Sequence, residues 1–165
     1  MMNEYGDMLL RTASLLLKDP QSAEEAVQDT FIQAYAKITQ LQEPERLKAW
    51  LVRIVVNRCH MRQRTWSWRN IFPVGVLDPL SHGEFGFAVG AEELFMTEWH
   101  NVNLAQAVRS LDYIYRESLV LYYFHEMSIC EISAQLHTPE NTIKSRLARG
   151  RTLLKRLLEK EAHFI

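Results

Sequence analysis

No apolar run in the 165-residue chain approaches the ~18 residues that crossing a bilayer requires. The first turns carry Glu4, Asp7, Arg11 and Asp19 among their apolar positions, so neither a membrane span nor a secretory leader is expected. Cysteine is nearly lacking. Cys59 and Cys130 stand far apart with no C-x-x-C, which suggests neither a disulfide framework nor a zinc finger, and both suit packing as small apolar side chains. Also missing are H-E-x-x-H, a phosphate-cradling glycine loop and a G-x-S-x-G elbow. The six histidines are scattered, and His125-Glu126 has no second histidine one helical turn on. The expectation is a non-enzyme of the reducing cytoplasm, with no metal, no cofactor and no small-molecule substrate.

Glycine and proline are sparse and crowd into one stretch, where Pro73, Gly75, Pro79, Gly83, Gly86 and Gly90 follow in quick succession. That composition reads as a linker. Elsewhere β-type alternation is scarce and helical periodicity dominates. Helices are expected over about Tyr5–Leu17, from Ser22 to about Ile38, and over about Glu45–Arg64, then at 97–110, 113–124, 129–136 and 139–160. Asp19-Pro20 closes the first helix, and Ser22 with Glu25 forms an S-x-x-E capping box for the second. Ser128 with Glu131 forms another such box, and Thr138 with Pro139 reads as N-cap and first residue of the last helix. The fold class is all-α, with two small helical domains at 1–66 and 97–165 and a linker at 67–96.

The net charge of −1 conceals two basic blocks. Residues 46–70 sum to +7 with no acid, and residues 139–160 sum to +5. Residues 1–45 and 71–101 each sum to −5. Phosphate attraction depends on local rather than net charge, so this clustering is the footprint of a polyanion binder. Solvated helix faces are the plainer alternative.

Three surfaces exceed what a core needs. On the second helix Ala23, Ala26, Val27, Thr30, Phe31, Ala34 and Ile38 make the core stripe, while Glu25, Gln28, Asp29, Ile32 and Ala36 lie opposite. Ile32 is therefore exposed amid acids and amides, a pattern that suits a partner helix bearing basic residues. The third helix buries Leu47, Leu51, Val52, Val55 and Cys59 and turns outward Arg46, Trp50, Arg53, Asn57, His60 and Arg64. Arginine neutralises phosphate, asparagine can read a base edge, and tryptophan can stack on an unpaired base. Arg58 and Arg62 interrupt the apolar side near its end, which implies that the helix projects beyond the core. The run from Ser128 to Leu147 reads as helix, turn, helix. Ile143, Leu147, Gly150, Leu154 and Leu157 face inward, and Asn141, Lys144, Ser145, Ala148, Arg149 and Thr152 face outward, the profile of a helix that enters a DNA groove.

Three motifs resemble the extracytoplasmic-function (group IV) sigma factors of bacterial RNA polymerase. They are Ala23-Glu-Glu-Ala-Val-Gln-Asp-Thr-Phe-Ile-Gln-Ala-Tyr, Lys48-Ala-Trp-Leu-Val-Arg-Ile-Val-Val-Asn and Asn141-Thr-Ile-Lys-Ser-Arg-Leu-Ala-Arg-Gly-Arg. The resemblance implies that 1–66 is a sigma region 2 domain and 97–165 a sigma region 4 helix-turn-helix domain. It implies core RNA polymerase and promoter DNA as partners, and a cognate anti-sigma factor, in many members membrane-anchored. Position by position, Glu25, Gln28, Asp29 and Ile32 match the polymerase-binding helix. The segment Leu41–Lys48, with Trp50, Arg53, Asn57 and His60 behind it, matches the part that captures an unpaired −10 base. Asn141, Lys144, Ser145, Ala148 and Arg149 match the −35 reading positions. Asp112 stands where the family usually has proline, and His137 stands where the helix-turn-helix turn commonly has glycine.

The function implied is that of an alternative sigma factor for a stress or envelope response. The competing reading is a self-sufficient helix-turn-helix regulator that binds duplex DNA as a dimer. The N-terminal half separates the two, because a regulator would need a dimer seam or ligand pocket there.

Overall fold

The computed structural model describes residues 1–69 and 102–162, with side chains described over 1–65 and 103–160. Every regular element among the described residues is helical, and the chain divides into two compact units, Met1–Pro73 and Val74–Ile165.

In the first unit α1 (Met2–Leu16), α2 (Pro20–Ala36) and α3 (Leu47–Arg69) pack against one another. From α1 the i, i+3, i+4, i+7 set Leu9, Thr12, Ala13 and Leu16 is buried, as its spacing requires. The chain leaves α1 at Leu17, which turns extended while its N–H bonds to the Ala13 carbonyl at 2.7 Å. Asp19-Pro20 then opens α2 rather than closing α1. The Asp19 carboxylate accepts from the Ser22 N–H at 3.2 Å and the Ser22 hydroxyl at 2.8 Å, and Pro20 occupies the first turn, where no N–H is needed. The expected Ser22–Glu25 box is thus displaced by a stronger cap three residues upstream. That cap holds the Asp19 carboxyl below the ordinary aspartate value, chiefly through the Ser22 hydroxyl.

The buried face of α2 is made of small residues, Ala23, Ala26, Thr30 and Ala34, which let α1 and α3 approach closely. Val27 and Phe31 are half-buried beside them. Ile38 leaves the expected stripe. The Lys37 N–H bonds to Gln33 and Ala34, α2 ends, and Ile38–Gln40 forms a 3-10 turn with Ile38 40% exposed. A second 3-10 turn, Pro44–Arg46, leads into α3. Helix α3 buries Leu51, Val52, Val55 and Cys59 as expected, and Ile54 and Val56 besides, while Leu47, expected with them, is only half-buried in the first turn. It continues through Arg69, into residues read from sequence as linker; the remainder of that stretch and the start of the helix expected at 97–110 lie outside the described residues.

The second unit contains α4 (Val102–Ser110), α5 (Tyr113–Leu119), α6 (Ile129–Leu136) and α7 (Glu140–Ala162). Leu104, Val108, Leu119, Leu121, Ile132, Ile143, Leu147 and Leu154 form its core. The segment expected as one helix over 113–124 widens at Val120 into a π turn, Val120–Phe124, with His125 N–H reaching back to Val120 at 3.2 Å. Asp112 starts α5 through its backbone carbonyl, which accepts from Tyr115 and Arg116; its side chain makes no capping bond. Arg116 lies within the core, 2% exposed, and its guanidinium donates to the carbonyls of Arg109 at 3.0 Å and Leu111 at 2.9 Å. These are carbonyls at the end of α4 that no helical N–H can reach, so the cation serves as a C-terminal cap. Burial lowers the Arg116 pKa, with Tyr113, Asp112 and Glu117 opposing that shift. At Gly150 a Cβ would meet the Leu119 side chain at 3.1 Å, which shows how tightly α7 lies on α5.

Candidate nucleic-acid interface

Two surfaces of the first unit meet along the α2–α3 seam. On α2, Glu25, Gln28 and Ile32 are exposed and Asp29 is half-exposed. Ile32 is 68% exposed, as its helical phase requires, and Tyr35, one turn further on, is 80% exposed. Tyr35 is not among the residues expected on the polar stripe, although its i+3 spacing from Ile32 puts it beside that residue.

Arg58 and Arg62 do not project past the core. Arg58 donates through Nε and Nη2 to Gln33 Oε1 at 2.9 and 2.7 Å. Arg62 donates through Nη1 to Glu25 Oε2 at 3.0 Å and through Nη2 to Asp29 Oδ2 at 2.8 Å. Two arginines one turn apart on α3 thus meet three acceptors one turn apart on α2, an antiparallel polar ladder that flanks the apolar seam. Partial desolvation pulls the Arg62 pKa down, but its hydrogen bonds to Asp29 and Glu25, with the attraction of both carboxylates, outweigh it and the net shift is upward.

Along α3, Arg53, Asn57 and Arg64 are exposed, and Trp50 and His60 are half-buried between them, so the expected outward stripe is present as one face. Arg46 precedes the helix and pairs with Glu43 at 2.6 Å. Lys48 is exposed in the first turn but sits off that stripe, since two helical residues turn the chain by about 200°.

In the second unit the Ser128 hydroxyl accepts from the Glu131 N–H at 3.1 Å while Glu131 Oε2 accepts from the Ser128 N–H at 2.9 Å, the reciprocal box expected at the start of α6. His137 adopts the left-handed conformation that its place in the turn calls for, with φ 51° and ψ 44°. Thr138 does not cap α7. Its hydroxyl donates back to the Leu136 carbonyl at 3.0 Å, and the Ser133 hydroxyl donates to the Thr138 carbonyl at 2.6 Å, so both hydroxyls close the turn. The Pro139 carbonyl instead accepts from the Ile143 N–H at 3.1 Å.

On α7, Asn141 and Lys144 are exposed, and Ser145, Ala148, Arg149 and Thr152 are half-exposed. The hydroxyls of Ser145 and Thr152 bond back to the carbonyls of Asn141 and Ala148, which keeps them flat against the helix. Arg149 lies over the Tyr115 ring, 5.9 Å from its centroid. Arg151, counted by sequence within the basic block, turns inward and donates to the Tyr123 hydroxyl at 2.6 Å. Its spacing from Leu147 and Leu154 already placed it on the inner stripe. Among the described residues no cluster of His, Cys, Asp or Glu could hold a metal ion, and no helix is long and apolar enough to cross a membrane.

The sigma-70 region 2 family model matches residues 1–69, and the sigma-70 region 4 model matches residues 101–154, so each unit carries one half of a two-part architecture in the expected order. The chain is an ECF sigma factor of the sigma-70 family. Curated relatives span nearly all of it. The sigma factor is similar to ECF RNA polymerase sigma factor SigW of Bacillus subtilis, 28% identical over 163 residues, covering 93% of this chain and 84% of the relative. It is also similar to SigM of Mycobacterium tuberculosis, 29% identical over 156 residues, covering 91% of this chain and 71% of the relative. Among solved structures it resembles RpoE from Bartonella quintana, crystallised with the anti-sigma factor NepR, at TM-score 0.64 and 25% identity over 96% of this chain and 98% of that one. CnrH, solved with the cytosolic domain of CnrY, shares the fold at TM-score 0.57 and 22% identity over 96% and 85% of the two chains. As an alternative sigma factor the protein binds core RNA polymerase and promoter DNA and directs transcription initiation. The region 2 match over the N-terminal half removes the ground for a self-sufficient dimeric regulator, which would need a different structure there.

Proposed function

We propose that the sigma factor distributes its work over three faces. The α2 face of Glu25, Gln28, Asp29 and Ile32 docks core polymerase. The α3 face of Trp50, Arg53, Asn57 and His60 holds unpaired −10 bases and their phosphates, and Lys48, exposed in the first turn off that stripe, adds a charge for the flanking phosphate. The α7 face of Asn141, Lys144, Ser145, Ala148 and Arg149 reads the −35 element. The observation that carries this reading is Ile32, 68% exposed at the centre of a polar stripe on a helix whose opposite side supplies the core. An isolated exposed isoleucine is ordinary, but one ringed by Glu25, Gln28 and Asp29, with Tyr35 beside it, makes an apolar centre with a polar rim, the make-up of a protein-binding patch.

On α3 the cost of unpairing the promoter is met by capturing the released bases, as other proteins capture extruded ones. No bond is made or broken in that step, so the protein acts without catalysis of its own and in the cytoplasm, where promoter DNA lies. A cognate anti-sigma factor restrains it by covering the α2 face; RpoE and CnrH, which share its fold, were solved with NepR and CnrY bound. Metal in such a complex would belong to the partner.

Ile32→Glu is the cleanest test. The side chain is exposed and outside the Arg62 fork, whereas Asp29→Arg would also break an ion pair. The variant is expected to lose co-elution with core polymerase on gel filtration while keeping the helical circular dichroism spectrum. Undiminished co-elution would refute α2 as the docking face.

A further inference from the structure

Glu25 and Asp29 stand four residues apart on α2, a spacing at which two carboxylates repel. Left alone, each would sample several rotamers and keep its distance from the other. Arg62 reaches across from α3 and takes one oxygen of each, Glu25 Oε2 at 3.0 Å and Asp29 Oδ2 at 2.8 Å, through different nitrogens of one planar guanidinium. The fork therefore fixes both side chains at once and cancels one of the two like charges. It also leaves an oxygen on each carboxylate facing away from the bond. Glu25 Oε1 has a long contact, 3.4 Å, from Gln21, and all three ion-pair side chains stay between 32% and 47% exposed. These carboxylates are held in place without being hidden.

We propose that Arg62 is a positioning residue for polymerase docking: from α3 it presets Glu25 and Asp29 on α2 in the geometry that the polymerase meets. This rests on α2 being the docking face. A binding partner that meets preset side chains need not bear the entropic cost of ordering them, and the benefit appears as affinity rather than as fold stability. Lysine could not replace the arginine fully, because a single ammonium cannot hold two carboxylates in a planar fork. Arg62 also belongs to the helix that carries Asn57 and His60, so the fork fixes the rotation of the DNA-facing stripe against the docking stripe.

The test uses the full-length sigma factor, fluorescently labelled and titrated with core RNA polymerase. Arg62→Ala is expected to weaken binding by roughly two- to fivefold, the range of an exposed ion pair. Arg62→Lys should recover only part of that loss. In an Asp29→Asn background, Arg62→Ala should cost less than it does in the wild type, since its effect runs through that carboxylate. Unchanged or tighter binding by Arg62→Ala overturns the proposal, as does complete recovery with lysine or an undiminished loss in the Asp29→Asn background. Circular dichroism and the thermal midpoint accompany each variant; if Arg62→Ala lowers helix content, Arg62→Gln, a good helix former that is too short and uncharged to make the fork, carries the same comparison. The two readings fail separately. Normal binding by Ile32→Glu sinks the docking face itself, whereas loss by Ile32→Glu beside normal binding by Arg62→Ala sinks only the positioning role.

Discussion

The two units use arginine in opposite ways. In the first, Arg58 and Arg62 stay partly exposed and reach side chains on a neighbouring helix, Gln33, Glu25 and Asp29. In the second, Arg116 and Arg151 are buried and end on α4 carbonyls and a tyrosine hydroxyl. The same side chain is surface furniture in one unit and internal scaffolding in the other. The difference teaches where each unit's stability resides. Small residues on α2 let the first unit close its core, among the described residues, without buried cations, and the arginines at its seam are left to arrange a surface. The second unit caps the end of its short α4 from the core side, with the buried Arg116.

Arg116→Ala should therefore have the largest effect. It strands the carbonyls of Arg109 and Leu111 in the interior, and losing charge-assisted bonds there costs about 3 kcal/mol. Hydrogen exchange should show α4 and α5 losing protection while α1 to α3 keep theirs. Equal loss in both units would erase the contrast.

Next comes Arg149, whose guanidinium is steadied over Tyr115. As a base reader, Arg149→Ala should cost about 1–3 kcal/mol of promoter affinity and relax selectivity at one −35 position. A uniform loss across −35 sequences, with the salt slope lowered by about one, would make it a phosphate contact instead.

Arg62→Ala gives the counterpart to Arg116→Ala. Its ion pairs are too exposed to stabilise the fold by more than about 1 kcal/mol, so chemical denaturation of the first unit should barely move. A shift as large as that of Arg116→Ala would show the two seams to be alike.

The smallest effect belongs to Asp19. Its carboxyl is held below the ordinary value by its capping bonds, so the charged form favours the folded state above the unfolded pKa. The advantage of wild type over Asp19→Ala in thermal midpoint should be full at neutral pH. It should fade as pH falls through the ordinary aspartate range and then through the depressed folded value below it. A constant gap across that range would remove the charge from the explanation.

What the sequence made legible follows a simple division. Periodicity placed most of the buried stripes of α3 and α7, with Leu47 and Leu157 only half-buried at their ends, the exposed Ile32 and the Ser128–Glu131 box, because each depends on residues within one or two turns. Cap competition was harder. Asp19 and Ser22 are both good caps, and only the position of Pro20 decides between them; Thr138 looked like a cap, but its hydroxyl found the Leu136 carbonyl first. The Arg58 and Arg62 partners lie 25 to 37 residues away along the chain, beyond any helical period, so their crossing bonds were invisible until α2 and α3 were side by side. Arg151 is a different case. Its charge drew it into a basic block, although its spacing from Leu147 and Leu154 put it inside.

The turn between α6 and α7 has one further consequence. Its closing bonds run among Ser133, Leu136, His137 and Thr138, and the left-handed His137 belongs to the same knot. The outward residues Asn141, Lys144, Ser145, Ala148 and Arg149 lie past that knot, on a helix anchored by Ile143, Leu147 and Leu154. The angle at which the helix is offered and the chemistry it offers are thus set by different residues. A lineage could exchange one set of outward side chains for another without rebuilding the turn that presents them.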